Sequence, residues 1–222
     1  MAIYLKKFET QSAYEAAQSS LILPNVSLTV DNNTVHYNPS SPVPPTPTYE
    51  SVDLGLPSGT LWAKWNVGAT SETEYGYYYQ YGKGADNYAV TSGQSDYSGT
   101  ENPLATSADT ATQTWGGSWH MPTQTQMQEL TANTTYEFIY DFNGSGINGG
   151  KFTAQNGNYI FIPAAGWYDG GSILVSVGDS GGLWSSTPDD NDYAYHLDFS
   201  EMDLSVRIVW RNGGFSVRPV IG

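Results

Sequence analysis

GGLWSSTPDDNDYAYHLDFSEMDLSVRIVWRNGGFSVRPVIG, residues 181–222, holds four strand-like runs: Leu183 to Ser186, His196 to Phe199, Leu204 to Trp210 and Phe215 to Val220. Side chains alternate between the two faces of a strand, so periodicity assigns each residue a side. Leu197 and Phe199 share one face, and His196 and Asp198 take the other. Leu204, Val206, Ile208 and Trp210 share a face, leaving Ser205, Arg207, Val209 and Arg211 opposite. The apolar alternation and the closing Phe215–Val220 strand read as scaffold, and the rest as a recognition face. Its expected ligand-binding residues are Asp189, Asp190, Asn191, Asp192, Tyr193, Tyr195, His196, Asp198, Glu201, Asp203, Ser205, Arg207, Val209, Arg211 and Asn212.

Upstream of this run, residues 50–222 read as one domain of strands and glycine turns with few helices. Val52 to Ala63 predicts a hairpin turning at Pro57-Ser58-Gly59, and Asn156-Gly157-Asn158 a tight turn into the apolar strand Tyr159 to Pro163. Thr123 is the expected N-cap of the domain's one good helix, with Met127, Leu130 and Thr131 as its inward stripe. Tyr136 to Tyr140 predicts a strand. Residues 84–114 are small and polar without lasting periodicity, and read as a long loop.

Composition bounds what such a domain can do. The 222-residue chain has 22 acids against 8 Lys plus Arg, a formal net charge of −14. A nucleic-acid partner, held through phosphates, needs a basic footprint that is missing. Tyr, Trp, Ser, Gly and Asn are abundant, as in adaptable binding surfaces and equally in turn-rich β proteins. There is no cysteine, which excludes disulfides, thiolate metal sites and a cysteine nucleophile. The start, MAIYLKKFET, has a basic pair with no apolar stretch of a secretory signal behind it. No apolar run approaches the roughly 20 residues of a membrane span, so no membrane insertion is expected.

Residues 1–38 read as a separate small unit. Ser12-Ala13-Tyr14-Glu15 fits a capping box opening a short helix, and Val26, Leu28 and Val30 alternate before the turn residues Asp31 to Thr34 and the strand Val35-His36-Tyr37. So short a chain buries little core alone, which favours docking or self-association. Residues 39–49 then carry five prolines, at 39, 42, 44, 45 and 47. Such a linker is a semi-rigid spacer of about 3 Å per residue.

Five ordered blocks carry a resemblance: Gly59-Thr60-Leu61-Trp62, Trp119-His120-Met121-Pro122-Thr123, Phe161-Ile162-Pro163-Ala164-Ala165-Gly166, Leu183-Trp184-Ser185-Ser186-Thr187 and Gly214 to Val220. Over residues 50–222 the chain resembles the Fibrobacter succinogenes major paralogous domain. That domain is similar to the C-type-lectin-like fold of formylglycine-generating enzymes and of the variable proteins of diversity-generating retroelements. The resemblance implies an α+β domain with a twisted antiparallel sheet, long loops and a C-terminal ligand face. The leader, with Lys6-Lys7-Phe8-Glu9-Thr10, Leu23-Pro24-Asn25-Val26-Ser27 and Val35-His36-Tyr37-Asn38-Pro39, is similar to that of virion proteins from crAss-like and other phages of Bacteroides-type gut bacteria.

Together these imply an anchor, a spacer and a lectin-like head on the virion surface, made in the host cytoplasm. A head fibre, capsid decoration or tail adhesin has this layout. Its partners would be a capsid or tail protein through residues 1–38 and a host-surface glycan or protein through the head. Analogy with phage fibres favours a homotrimer. A bacterial surface or secreted binding module is the alternative.

Chemistry is sparse. Formylglycine generation needs cysteines that are absent, and no Ser/His/Asp arrangement stands out around His36, His120 and His196. His120, inside a family block, reads as a hydrogen-bonded core residue before a general base. His196 reads as a ligand contact or as plainly exposed. Arg218, in the closing strand, reads as a structural ion-pair partner. Asp141-Phe142-Asn143-Gly144-Ser145-Gly146 begins like a calcium loop, but Phe152 stands where the bidentate Glu belongs. The Asp189–Asp192 cluster reads as a solvated acidic face before a hard-cation site. No metal, no cofactor and no catalysis are expected.

Overall fold

The computed structural model describes residues 27–31, 34–38, 49–85, 97–171 and 173–222. The chain divides into two compact units, Met1–Thr48 and Tyr49–Gly222. In the first, β1 (Ser27–Asp31) pairs antiparallel with β2 (Thr34–Asn38), the hairpin expected from its alternation and turn residues. The helix expected from Ser12 and the proline-rich residues 39–48 lie outside the described residues.

The second unit is α+β and mostly β. β3 (Ser51–Asp53) and β4 (Leu61–Ala63) form the first hairpin, and β15 (Val220–Ile221) pairs with the far edge of β4. β6 (Thr134–Ile139), β7 (Gly149–Ala154) and β8 (Tyr159–Pro163) form an antiparallel meander. β5 (Tyr79–Gln80), β9 (Trp167–Tyr168), β10 (Leu174–Val175) and β14 (Gly214–Phe215) make a sheet of two-residue strands in the order β10-β9-β14-β5. The longest strands, β11 (Ser180–Pro188), β12 (Tyr193–Ser200) and β13 (Leu204–Trp210), form the C-terminal sheet.

Two α-helices punctuate the strands among the described residues. In the expected one, α2 (Gln124–Asn133), Thr123 accepts from the Gln126 amide at 3.2 Å while the Gln126 side chain accepts from the Thr123 amide at 2.9 Å. This reciprocal box satisfies two helix-end donors, and Met127 and Leu130 bury one turn further on. The other, α1 (Thr110–Trp115), lies within the stretch read as loop. Its sequence TATQTW is rich in β-branched threonine, a poor helix former. Its order comes from the buried Asp109 carboxylate, which accepts from the amides of Thr112 at 2.8 Å and Met121 at 2.9 Å.

The core has two parts on opposite sides of the C-terminal sheet. One gathers Trp62, Met127, Leu130, Phe152, Ile160, Ile162, Leu183, Leu197 and Phe199, with Leu204 and Val206 against it. The other gathers Tyr79, Tyr81, Met121, Trp184, Ala194, Phe215 and Val217, with Trp167 and Val209 against it. β11 contributes Leu183 to the first and Trp184 to the second, so it is buried on both faces.

The closing segment differs from the single strand expected there. β14 and β15 belong to different sheets, and Pro219, which has no amide hydrogen to donate, lies between them. Arg218 turns fully inward from this break. It donates to Asn66 Oδ1 at 2.8 Å, the Ala63 carbonyl at 3.1 Å and the Phe161 carbonyl at 2.9 Å. Its partners are thus an amide and two carbonyls in place of the expected carboxylate, and burial lowers its pKa to about 9. Removing this guanidinium strands three buried acceptors. Arg218→Ala should lower unfolding free energy by about 3–5 kcal/mol in urea denaturation, and Arg218→Lys, lacking the planar fork, should recover little of it.

Candidate binding site

The register of β12 on β13 places Tyr193 opposite Trp210, Ala194 opposite Val209, Tyr195 opposite Ile208, His196 opposite Arg207, Leu197 opposite Val206 and Asp198 opposite Ser205. Opposed residues share a face, so the assignment of sides by alternation holds. What alternation does not give is cover. The face of Leu197, Phe199, Leu204 and Val206 is packed at that end, but at the other end Ile208 and Trp210 are 45 % and 55 % exposed. The opposite face is covered at Ala194 and His196, half-buried at Ser205 and open at Arg207. Each face is half core and half surface.

Two expected contacts on a free face are therefore corrected. His196 is only 5 % exposed, held between Trp184 and Phe215 with ring centroids at 6.4 and 4.9 Å. Burial, aided by the positive charge of Arg207, lowers its pKa to about 3, and its Nδ1 has no hydrogen-bond partner. Arg211 is 1 % exposed and clamps three segments. It donates to the carbonyls of Tyr193, Asp190, Tyr97 and Gly99, and lies over the rings of Tyr81 and Tyr97.

The acidic turn between β11 and β12 is exposed from Asp189 to Asp192, with Asn191 at its tip. Two of its three carboxylates are engaged locally. Asp190 Oδ1 accepts from the amides of Asp192 and Tyr193, both at 2.8 Å, and Asp189 Oδ1 accepts from the Tyr195 hydroxyl at 3.0 Å. Tyr193 packs on Trp210 at 4.3 Å. In the calcium-like stretch, Asp141 Oδ1 caps the Gly146 amide at 2.6 Å. Among the described residues no group of three or more His, Asp or Glu side chains converges as a metal site.

At the next turn Glu201 raises the pKa of the Tyr140 hydroxyl, and Asp203 accepts from Ser205 at 3.3 Å. Arg207 spans Asp198 and Asp203 through one nitrogen, Nη2. The Asp198 carboxyl is half-buried. Burial raises its pKa, while Arg207 draws it back.

Beside this triad a cleft opens between β13 and the β9–β14 pair. A pocket of about 410 Å³ is lined by Trp167, Tyr168, Val209, Trp210 and Phe215, with Asp169 and Asn212 among its polar lining. A second, of about 210 Å³, is lined by Trp167, Val209 and Phe215 again, and by His196, Asp198 and Arg207. The two pockets adjoin along these three shared residues, and together they are called the cleft. Of the expected residues it gathers His196, Asp198, Arg207, Val209 and Asn212, and leaves the acidic turn outside. Trp167, Tyr168, Asp169 and Phe215 were not expected in the site. The aromatic pair followed by an acid, on a strand of two residues after Gly166, was the available signal.

No family model matches the chain, and no curated protein or solved structure is found similar to it.

The buried neutral imidazole makes a pH prediction. Between about pH 6.5 and 3 the unfolded chain protonates His196 and the folded chain does not, so stability falls as pH falls through that window. Asp198, raised in the fold, acts in the opposite sense, so the comparison must be between variants. Urea denaturation at pH 7 and pH 4.5 should show His196→Phe losing less stability on acidification than the parent, by about 1–2 kcal/mol. Equal losses in both would refute a buried neutral histidine.

Proposed function

We propose that the chain is a phage virion protein, a head fibre, capsid decoration or tail adhesin, whose C-type-lectin-like head binds a host-surface ligand. The observation that carries the binding reading is the pair of adjoining pockets that share Trp167, Val209 and Phe215 as lining. Concave, largely apolar sites with a few polar groups at the edges are the common form of ligand pockets. The acids in and beside the cleft are occupied in hydrogen bonds and ion pairs, an arrangement suited to holding a ligand more than to transferring protons. The virion assignment rests on the anchor–spacer–head layout of the sequence and on its two resemblances. Residues 1–38 would dock on a capsid or tail protein.

Two measurements test the reading. In phage carrying the gene, deletion of residues 1–45 should abolish incorporation into particles while the head stays soluble; unchanged incorporation would refute the anchor. Labelled full-length protein should adhere to host cells, and Trp167→Ala should reduce that adhesion about tenfold or more. Display on bacterial surfaces without any trace in particles would instead establish a bacterial binding module.

A further inference from the structure

Resting on the host-binding reading, we propose that the cleft takes a neutral saccharide, with a sugar ring against Trp167 and its hydroxyls on the polar groups at either end.

The wall comes first. Trp167 and Phe215 are near-parallel, with ring centroids 6.1 Å apart, and both line the two pockets; Phe215 is 2 % exposed, so it backs the wall while the half-buried Trp167 supplies the open aromatic face. A sugar ring presents an apolar C–H face, which suits aromatic surface, and an equatorial rim of hydroxyls, which needs donors and acceptors. The cleft has that division. Its polar groups are Asp169 and Asn212 in the larger pocket, and Asp198 and Arg207 in the smaller. Arg207 uses Nη2 for both aspartates, and its Nε and Nη1 make no hydrogen bond to any described residue.

Charge selects among saccharides. The Asp198–Arg207–Asp203 group carries two carboxylates for one guanidinium, and Asp169 adds a further carboxylate to the cleft. A sulfate, phosphate or uronate would meet net negative charge, and the one arginine is already paired. Size argues against a protein partner as the main occupant, since stable protein interfaces cover about 800 Å² per side, whereas pockets of a few hundred cubic ångströms suit small ligands.

The test uses the full-length chain on an array of neutral hexose and N-acetylhexosamine oligosaccharides beside their sulfated, sialylated and uronate-bearing counterparts. Binding to neutral members, at least about tenfold stronger than to acidic ones, is expected. Titration calorimetry with the best neutral member should show about tenfold loss or more for Trp167→Ala. Val209→Trp, which fills the cleft without removing a wall, should abolish binding while near-ultraviolet circular dichroism stays that of a folded domain. Equal or stronger binding of acidic members, binding of none, or full binding by Val209→Trp would overturn the proposal. Adhesion to host cells separates the two readings. If array binding is absent and adhesion is removed by protease and not by periodate, the ligand is a protein: the saccharide falls and host binding stands. Array binding without adhesion to any host cell leaves the saccharide and removes the host-binding reading.

Discussion

Everything C-terminal in this domain depends on one strand being able to lie between two cores. β11 is buried from Gly181 to Thr187. A strand covered on both faces must place large side chains on each side and still let neighbouring rings approach its backbone. Gly181 and Gly182 meet the second need in succession. A Cβ at Gly181 would stand 2.3 Å from the Phe199 ring, and one at Gly182 would stand 2.4 Å from the Phe215 ring. These are inside any allowed contact, so each glycine is required by a ring on its own face. Leu183 and Trp184 then fill the two cores in turn, and the Trp184 indole donates to the Tyr79 carbonyl at 2.8 Å.

The cleft follows from that placement. Phe215 lies against Gly182 and Trp184, and its strand pairs with both β5 and β9. Trp167 on β9 is thereby carried alongside Phe215, facing Val209 and Arg207 of β13. Past the pair Trp184–His196 the β11–β12 register shifts, and the bulged residues bond elsewhere: Ser186 accepts from the Leu104 amide and donates its own amide to the Pro122 carbonyl. The bulge bends β11 away from β12. It lets the acidic turn project while Arg211 ties its base to the chain at Tyr97 and Gly99. Aromatic wall, triad and turn are therefore all positioned by the same doubly buried strand.

Much of this was legible in the sequence. The β3–β4 and β7–β8 hairpins, the strands of the C-terminal sheet, the Thr123 N-cap and the sides of residues 196–199 and 204–210 follow from periodicity and turn chemistry. Cover was not legible. Alternation says that His196 and Arg207 share a face, but not that Phe215 and Trp184 lie over one and leave the other open. That difference is tertiary. It arises from strands of two residues, β9 and β14, too short to have a period at all. The helix at 110–115 escaped for a related reason: its stability lies in the buried Asp109 cap, which binds Met121 from outside the helix. Arg211 and Arg218 were misread, one as a ligand contact and one as an ion-pair partner, because an arginine bonded to carbonyl oxygens needs no acid nearby in sequence.

Those arginines also account for the character of the surface. The chain has three, all between residues 207 and 218. Arg211 and Arg218 are buried, with backbone carbonyls and an amide as partners. A planar guanidinium can satisfy several such acceptors at once, and this offsets part of its desolvation cost. Neither neutralises a carboxylate. The acids on the surface are left with few cations to answer them, and Arg207 at the cleft is already shared by two aspartates. Beyond about 8 Å, physiological salt screens the resulting field. An anion approaching the cleft would therefore meet mainly Asp169, Asp198 and Asp203, and the same burial of arginine that stiffens the scaffold leaves that face acidic.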